Sequence, residues 1–162
     1  MLFKEYQDKE ENEGRIGSKI MNSNPLNYEI IDHTADLGIV VKGVDVKDVF
    51  IRAAYAMSDL MVKSDISEKG AKRKVSVEGE DFPDLMVRWL SEILYLFDGE
   101  HILVSAIEIS SISPIRLQST LTVLPLKRGH HEILREIKAV TYHQISVQRV
   151  HDGWEARIIF DI

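Results

Sequence analysis

The sequence predicts an α+β fold in which two amphipathic helices pack on a mixed, largely antiparallel β-sheet. Three observations predict it. Two stretches, near 46–62 and 82–97, repeat apolar residues at spacings of three and four, the period of one helix face. From Ile102 onward the chain runs in short strand-like stretches broken by Pro114 and by Asp152-Gly153. The element order is strands, helix, strand, helix, then four strands, which places both helices on one face of a sheet.

Each element has a local reason. "NYEIID" and "LGIVVKG" read as two short strands separated by the "HTAD" turn, with Gly43 ending the second. Asp45 suits a helix N-cap and Asp48 adds acid to the first turn. Val46, Val49, Phe50, Ala53, Met57, Leu60 and Met61 then form one stripe of a helix ending near Val62. "KSDISEKGAK" is a polar loop, and "RKVSVEG" alternates as a strand. In "EDFPDLMVRWLSEILYLFDG" Asp81 can cap, Pro83 sits in the first turn and Gly99 can stop the helix. Its stripe of Phe82, Leu85, Met86, Trp89, Leu90, Ile93, Leu94 and Phe97 reads as core packing. "ILVSAIEISSIS" and "IRLQSTLTVLPL" form a hairpin around Pro114. "KRGHHEILRE" is a polar connection. "IKAVTYHQISVQRV" reads as one strand, joined by Asp152-Gly153 to "WEARIIFDI". No internal repeat is evident.

Composition narrows the function classes. The 162 residues suit one domain, expected over 27–162, with a flexible tail over 1–26. Met21 is a natural shorter start than Met1. A net charge of −6 argues against a nucleic-acid surface built on bulk charge and suits metal ions, small molecules or a basic partner. With no cysteine, disulfides, thiolate zinc sites and a cysteine nucleophile are excluded. No eighteen-residue apolar run or secretory signal is present, so a cytoplasmic location is expected.

"IIDHTADLGIVV" is where chemistry interrupts an apolar run. Asp32, His33 and Asp36 carry a desolvation cost that something must offset: a metal ion, a catalytic pair or a simple turn. At the other end, the carboxyl group of Ile162 stands beside the Asp161 side chain. If these acids converged, a hard divalent cation, Ca²⁺ or Mg²⁺, would be the natural neutraliser. Spacing alone favours the simpler reading, in which Asp32 and Asp36 cap a turn and Asp161 is solvated. His143 falls in line with apolar neighbours and reads as partly buried, whereas Lys138 and Tyr142 lie on the more polar face. "HHE" at 130–132 reads as surface. A glycine-rich phosphate loop and a GxSxG nucleophile are absent.

"DHTADLGI" (32–39), "VFIRAAYAMSDLM" (49–61), "DLMVRWLSEILYLFD" (84–98), "EIKAVTYH" (136–143) and the terminal "WEARIIFDI" together resemble the archease family, across nearly all of 28–162. The resemblance implies a small α+β fold and an accessory protein rather than an enzyme, with no catalytic residues. Its implied partner is the RNA-splicing ligase RtcB, whose guanylylation and multiple turnover archeases promote in tRNA splicing and RNA repair. RNA would be met only through the ligase. The family's divalent cation, typically Ca²⁺ with Mg²⁺ or Mn²⁺ as alternatives, implies Asp36, Asp161 and the Ile162 carboxylate as ligands. His33 and Lys138 lie in family motifs and are candidates for activating the partner. One stretch departs from the pattern. Leu124, Pro125 and Leu126 stand where acids are expected and His130 replaces an arginine, making this region more basic and more apolar. The alternatives are a stand-alone metal-dependent phosphoester hydrolase with His33 as base, and a general RNA–protein chaperone with no metal role.

Overall fold

The computed structural model describes residues 28–32, 35–63 and 69–162. The expected tail over 1–26, His33 and Thr34 of the "HTAD" turn, and 64–68 of the polar loop lie outside the described residues.

β1 (Tyr28–Asp32) and β2 (Asp36–Gly43) pair antiparallel, as the alternation predicts. β2 leads into α1 (Val46–Met61), which passes into the two-residue β3 (Val62–Lys63). β4 (Ala71–Glu78) precedes α2 (Phe82–Asp98). The expected hairpin is β5 (Ile102–Ser113) with β6 (Arg116–Pro125). β7 (Glu132–Ile133), β8 (Ala139–Val140), β9 (Ser146–Val150) and β10 (Gly153–Asp161) complete the described chain.

The strands form three sheets rather than one. β1, β2, β10, β8 and β9 make the largest, β4–β6–β5 a second, and β3–β7 a two-residue pair. Every ladder between these named strands is antiparallel, so the mixed character expected from sequence is absent from them. Both helices touch strands of both larger sheets. Two hydrogen bonds tie them into the core: the Trp89 indole N–H donates to the Phe50 carbonyl at 3.0 Å, and the Ile107 N–H donates to the Tyr55 hydroxyl at 3.0 Å. Phe82 stands edge-on to both Phe50 (6.2 Å) and Trp154 (5.5 Å), joining α1, α2 and β10.

The two helix starts are built alike. "GVDVKDVFIR" (43–52) and "GEDFPDLMVR" (79–88) share glycine, two aspartates and arginine at the same spacing. Asp45 caps by accepting the Asp48 N–H at 2.7 Å, and Asp81 accepts the Asp84 N–H at 2.8 Å. Asp48 in turn accepts the Val44 N–H and the Arg52 guanidinium, each at 2.9 Å. Asp84 accepts the Glu80 N–H and the Arg88 guanidinium, again each at 2.9 Å. A Cβ on Gly43 would lie 2.6 Å from the Val49 nitrogen, and one on Gly79 2.9 Å from the Leu85 nitrogen. The glycines therefore let each helix pack directly on the strand that feeds it. The apolar positions coincide as well, but their identities change (Val46 and Phe82, Val49 and Leu85, Phe50 and Met86), so only the polar scaffold recurs residue for residue.

The edge of the large sheet also departs from expectation. β2 occupies one side of β10 from Trp154 to Asp161, so β8 (against Phe160–Asp161) and β9 (against Gly153–Arg157) share the other side. The strand expected over "IKAVTYHQISVQRV" is thus cut in two by a turn at 142–145, where Gln144 takes a positive φ of 53°. The turn resets the alternation: Val140 and Val147, of opposite parity, are both buried. It also corrects the reading of His143, which is exposed in the turn rather than partly buried beside apolar neighbours.

Candidate metal centre

The site begins with the alternation of β2 and β10. Leu37, Ile39 and Val41 are buried on the helix side, with Ala156, Ile158 and Phe160 opposite them. The intervening residues share the other face. There the register pairs Lys42 with Glu155, Val40 with Arg157, Gly38 with Ile159 and Asp36 with Asp161. One end of this row opposes unlike charges, while the other opposes two carboxylates.

Directly opposed side chains in such a pair have Cβ atoms about 4.5–5.5 Å apart, and like charges there destabilise the sheet. Among the described residues, no lysine, arginine or histidine forms an ion pair with Asp36 or Asp161. Asp36 is half-buried, Asp161 is exposed, and Ile162 follows at 41% exposure. Two carboxylates opposed in this way, with no protein cation paired to either among the described residues, are oxygen donors suited to a hard divalent cation. No group of three His, Cys, Asp or Glu side chains able to hold a metal occurs among the described residues.

The structure brings Lys138 to the same end. Its N–H donates to the Asp161 carbonyl at 2.7 Å, and its side chain is exposed. His33 lies outside the described residues. Nearby, burial first and then the charge of Glu136 push the Asp98 carboxyl above its usual range, with His101 acting in the opposite sense. The Glu136 carboxylate, two residues before Lys138, is thus felt at the end of α2. The "HHE" stretch holds no metal group among the described residues: the His131 ring accepts the Lys127 N–H at 3.0 Å, His130 is exposed, and Glu132 lies opposite Lys63 in the β3–β7 backbone ladder. Leu124 is buried and Leu126 packs against the core, so these apolar residues of the departing stretch serve packing.

Two side-chain bonds in this region have no linear signal. Thr141 donates its hydroxyl to the Ile159 carbonyl at 2.8 Å. Tyr142, exposed as expected, donates its hydroxyl to Asp84 at 2.7 Å and so ties the turn to α2. The Tyr142 bond, then the Glu80 N–H and Arg88, hold the Asp84 carboxyl below its usual range. A lowered carboxyl pKa contributes stability above the ordinary value that is lost as pH falls through the folded-state value. Tyr142→Phe is expected to move Asp84 back toward the ordinary carboxylate range, read by carbon-detected NMR titration. Its stability deficit should be present at neutral pH and shrink in acid. An unmoved Asp84 titration would show that the phenol is not its main partner.

Comparison with known proteins agrees with the fold. The sequence profile of the Archease protein family (MTH1598/TM1083) matches residues 28–162. Protein archease of Methanosarcina mazei is 31% identical over 146 residues, covering 88% of this chain and 100% of that protein. Protein archease of Methanothermobacter thermautotrophicus is 33% identical over 138 residues, covering 83% and 98%. The solution structure of Methanobacterium thermoautotrophicum protein 1598 superposes with a TM-score of 0.71 at 34% identity, over 85% of this chain and 99% of that one. A Thermotoga maritima protein, described as an archease and possible chaperone, shares the fold with a TM-score of 0.56 at 16% identity, over 90% and 100%. Taken with the two helices and antiparallel sheets described above, these matches establish that the chain belongs to the archease family.

Proposed function

We propose that this chain is a non-catalytic activator of the RNA-splicing ligase RtcB, acting in tRNA splicing and RNA repair through a divalent cation held by Asp36, Asp161 and the Ile162 carboxyl group. Membership of the archease family supports the accessory role. The opposition of Asp36 and Asp161 across β2 and β10, with no protein cation paired to either among the described residues, is the observation that carries the cation reading. Ca²⁺ suits a loosely arranged set of carboxylate oxygens at a strand end, and Mg²⁺ or Mn²⁺ would be accepted with more retained water. The cation, when bound, supplies positive charge near the phosphates handled during guanylylation.

The chain's own residues have separable parts in this scheme. The carboxylates hold the ion at the end of the sheet, and Lys138, whose backbone N–H bonds the Asp161 carbonyl and whose side chain is exposed, is the candidate to contact the ligase or its nucleotide. His33 is a second candidate by its position in the sequence motif. An overall charge of −6 favours encounter with an RNA-binding, hence basic, ligase surface.

Multiple-turnover ligation with the cognate ligase and limiting GTP tests the proposal. Native chain should stimulate turnover, whereas Asp36→Ala and Asp161→Ala should not. Each variant should also lose at least about 100-fold in Ca²⁺ affinity by calorimetry, beyond the usual effect of altering a ligand's supporting shell. Normal stimulation by both variants would refute the cation's role. Phosphoester hydrolysis by the pure protein with Mn²⁺ would favour a hydrolase instead.

A further inference from the structure

We propose that Thr141 is a positioning residue for the cation-binding carboxylates, and that its hydroxyl sets cation affinity by clamping the end of β10. The inference rests on the cation site described above, but not on the ligase.

A strand end frays unless its backbone is held on both sides. On one side β2 pairs with β10 as far as Asp161. On the other, β8 contributes only two residues, Ala139 and Val140. That short ladder is reinforced by three donors. The Lys138 N–H reaches the Asp161 carbonyl at 2.7 Å. The Thr141 N–H reaches the Ile159 carbonyl at 3.0 Å, and the Thr141 hydroxyl reaches the same carbonyl at 2.8 Å. Both lone pairs of Ile159 are thus engaged two residues before Asp161.

The clamp is itself braced. The Thr141 hydroxyl oxygen accepts the His143 N–H at 3.3 Å, fixing the start of the turn. Further along, Arg157 of β10 donates to the Gln144 side-chain oxygen at 3.2 Å, and Tyr142 anchors the turn to Asp84. The segment that holds the end of β10 is therefore tied to β10 itself and to α2.

The geometry separates this role from ordinary stability. Thr141 is half-buried at the sheet edge, outside the main core. Valine keeps its shape and its preference for extended backbone while removing the hydroxyl. Loss of one such bond allows the Asp161–Ile162 end to leave its bound position more often, so the ion must pay for reordering it. The expected loss in affinity is about three- to tenfold.

Calorimetric titration with Ca²⁺ of the full chain, Thr141→Val and Thr141→Ser tests this, alongside thermal unfolding in chelator and amide exchange at Phe160 and Asp161. Thr141→Val should bind Ca²⁺ about three- to tenfold more weakly, exchange faster at those amides, and melt close to the native temperature. Thr141→Ser should recover native affinity. Native affinity in Thr141→Val overturns the proposal while leaving the site intact. Affinity lost only in step with melting temperature also overturns it, by reducing Thr141 to a structural residue. Absence of Ca²⁺ binding by the native chain overturns the site reading and this proposal together.

Discussion

Trp89→Ala is expected to lose about 3–5 kcal/mol of stability, a large fraction of what a domain of this size typically has. Trp89 is fully buried, is among the largest buried side chains, and lies on the α2 face that meets α1. Truncation would leave a cavity between two helices that each touch both large sheets, so little of the surroundings can relax into it. It would also remove the indole donor from the Phe50 carbonyl. Trp89→Phe separates the two contributions, since it keeps most of the ring and loses only the N–H, at an expected cost of about 1 kcal/mol beyond the change in volume. Urea unfolding should show a lower midpoint for the alanine variant with an unchanged slope. A loss under about 1 kcal/mol would mean that the helices are not packed around this residue as described.

Gly153→Ala is expected to cost about 2–4 kcal/mol and lower the melting temperature by roughly 5–15 °C. Gly153 follows the Asp152 turn with a φ of 145°, a region closed to most side chains. A Cβ there would stand 2.3 Å from the Gly43 carbonyl oxygen, which is backbone and cannot swing aside. The hairpin would have to open where β10 begins its pairing with β2. That same register, counted seven residues on, places Asp161 opposite Asp36. The variant should therefore lose Ca²⁺ affinity as well as stability, although the substitution lies at the far end of the ladder. A variant that melts lower but binds Ca²⁺ normally would show that the register survives.

Much of the architecture was readable because its signals are local. The bounds of α1 and α2 follow from Asp45, Asp81, Pro83 and Gly99 together with three-four spacing, and these act within a turn or two of chain. The β5–β6 hairpin around Pro114 and the Asp152-Gly153 turn are equally local. The division into separate sheets was not readable, since it depends on which strand edges remain free once the helices are placed. β3 and β7 were hidden for another reason: two residues each, they owe their pairing to α1 delivering Val62 beside Ile133. The break at 142–145 was missed because every residue of "VTYHQIS" tolerates a strand, and only the bonds from Thr141, Tyr142 and Gln144 to distant groups select the turn. Of the candidate site, the identities of Asp36 and Asp161 came from the residue types and the family resemblance. Their opposition came only from the register, a property of two strands whose paired residues lie 111 to 125 positions apart in sequence.

The interrupted edge formed by β8 and β9 bears on how the protein tolerates crowding by its own copies. A single strand from Ile137 to Val150 would have presented a long, flat row of free N–H and C=O groups, the template on which another chain's strand can add. Instead the rim offers one piece of two residues and one of five, with an exposed tyrosine and histidine standing between them. An incoming strand would find no register to run along. The same kink that steadies the end of β10 thus guards the sheet against growing into its neighbours.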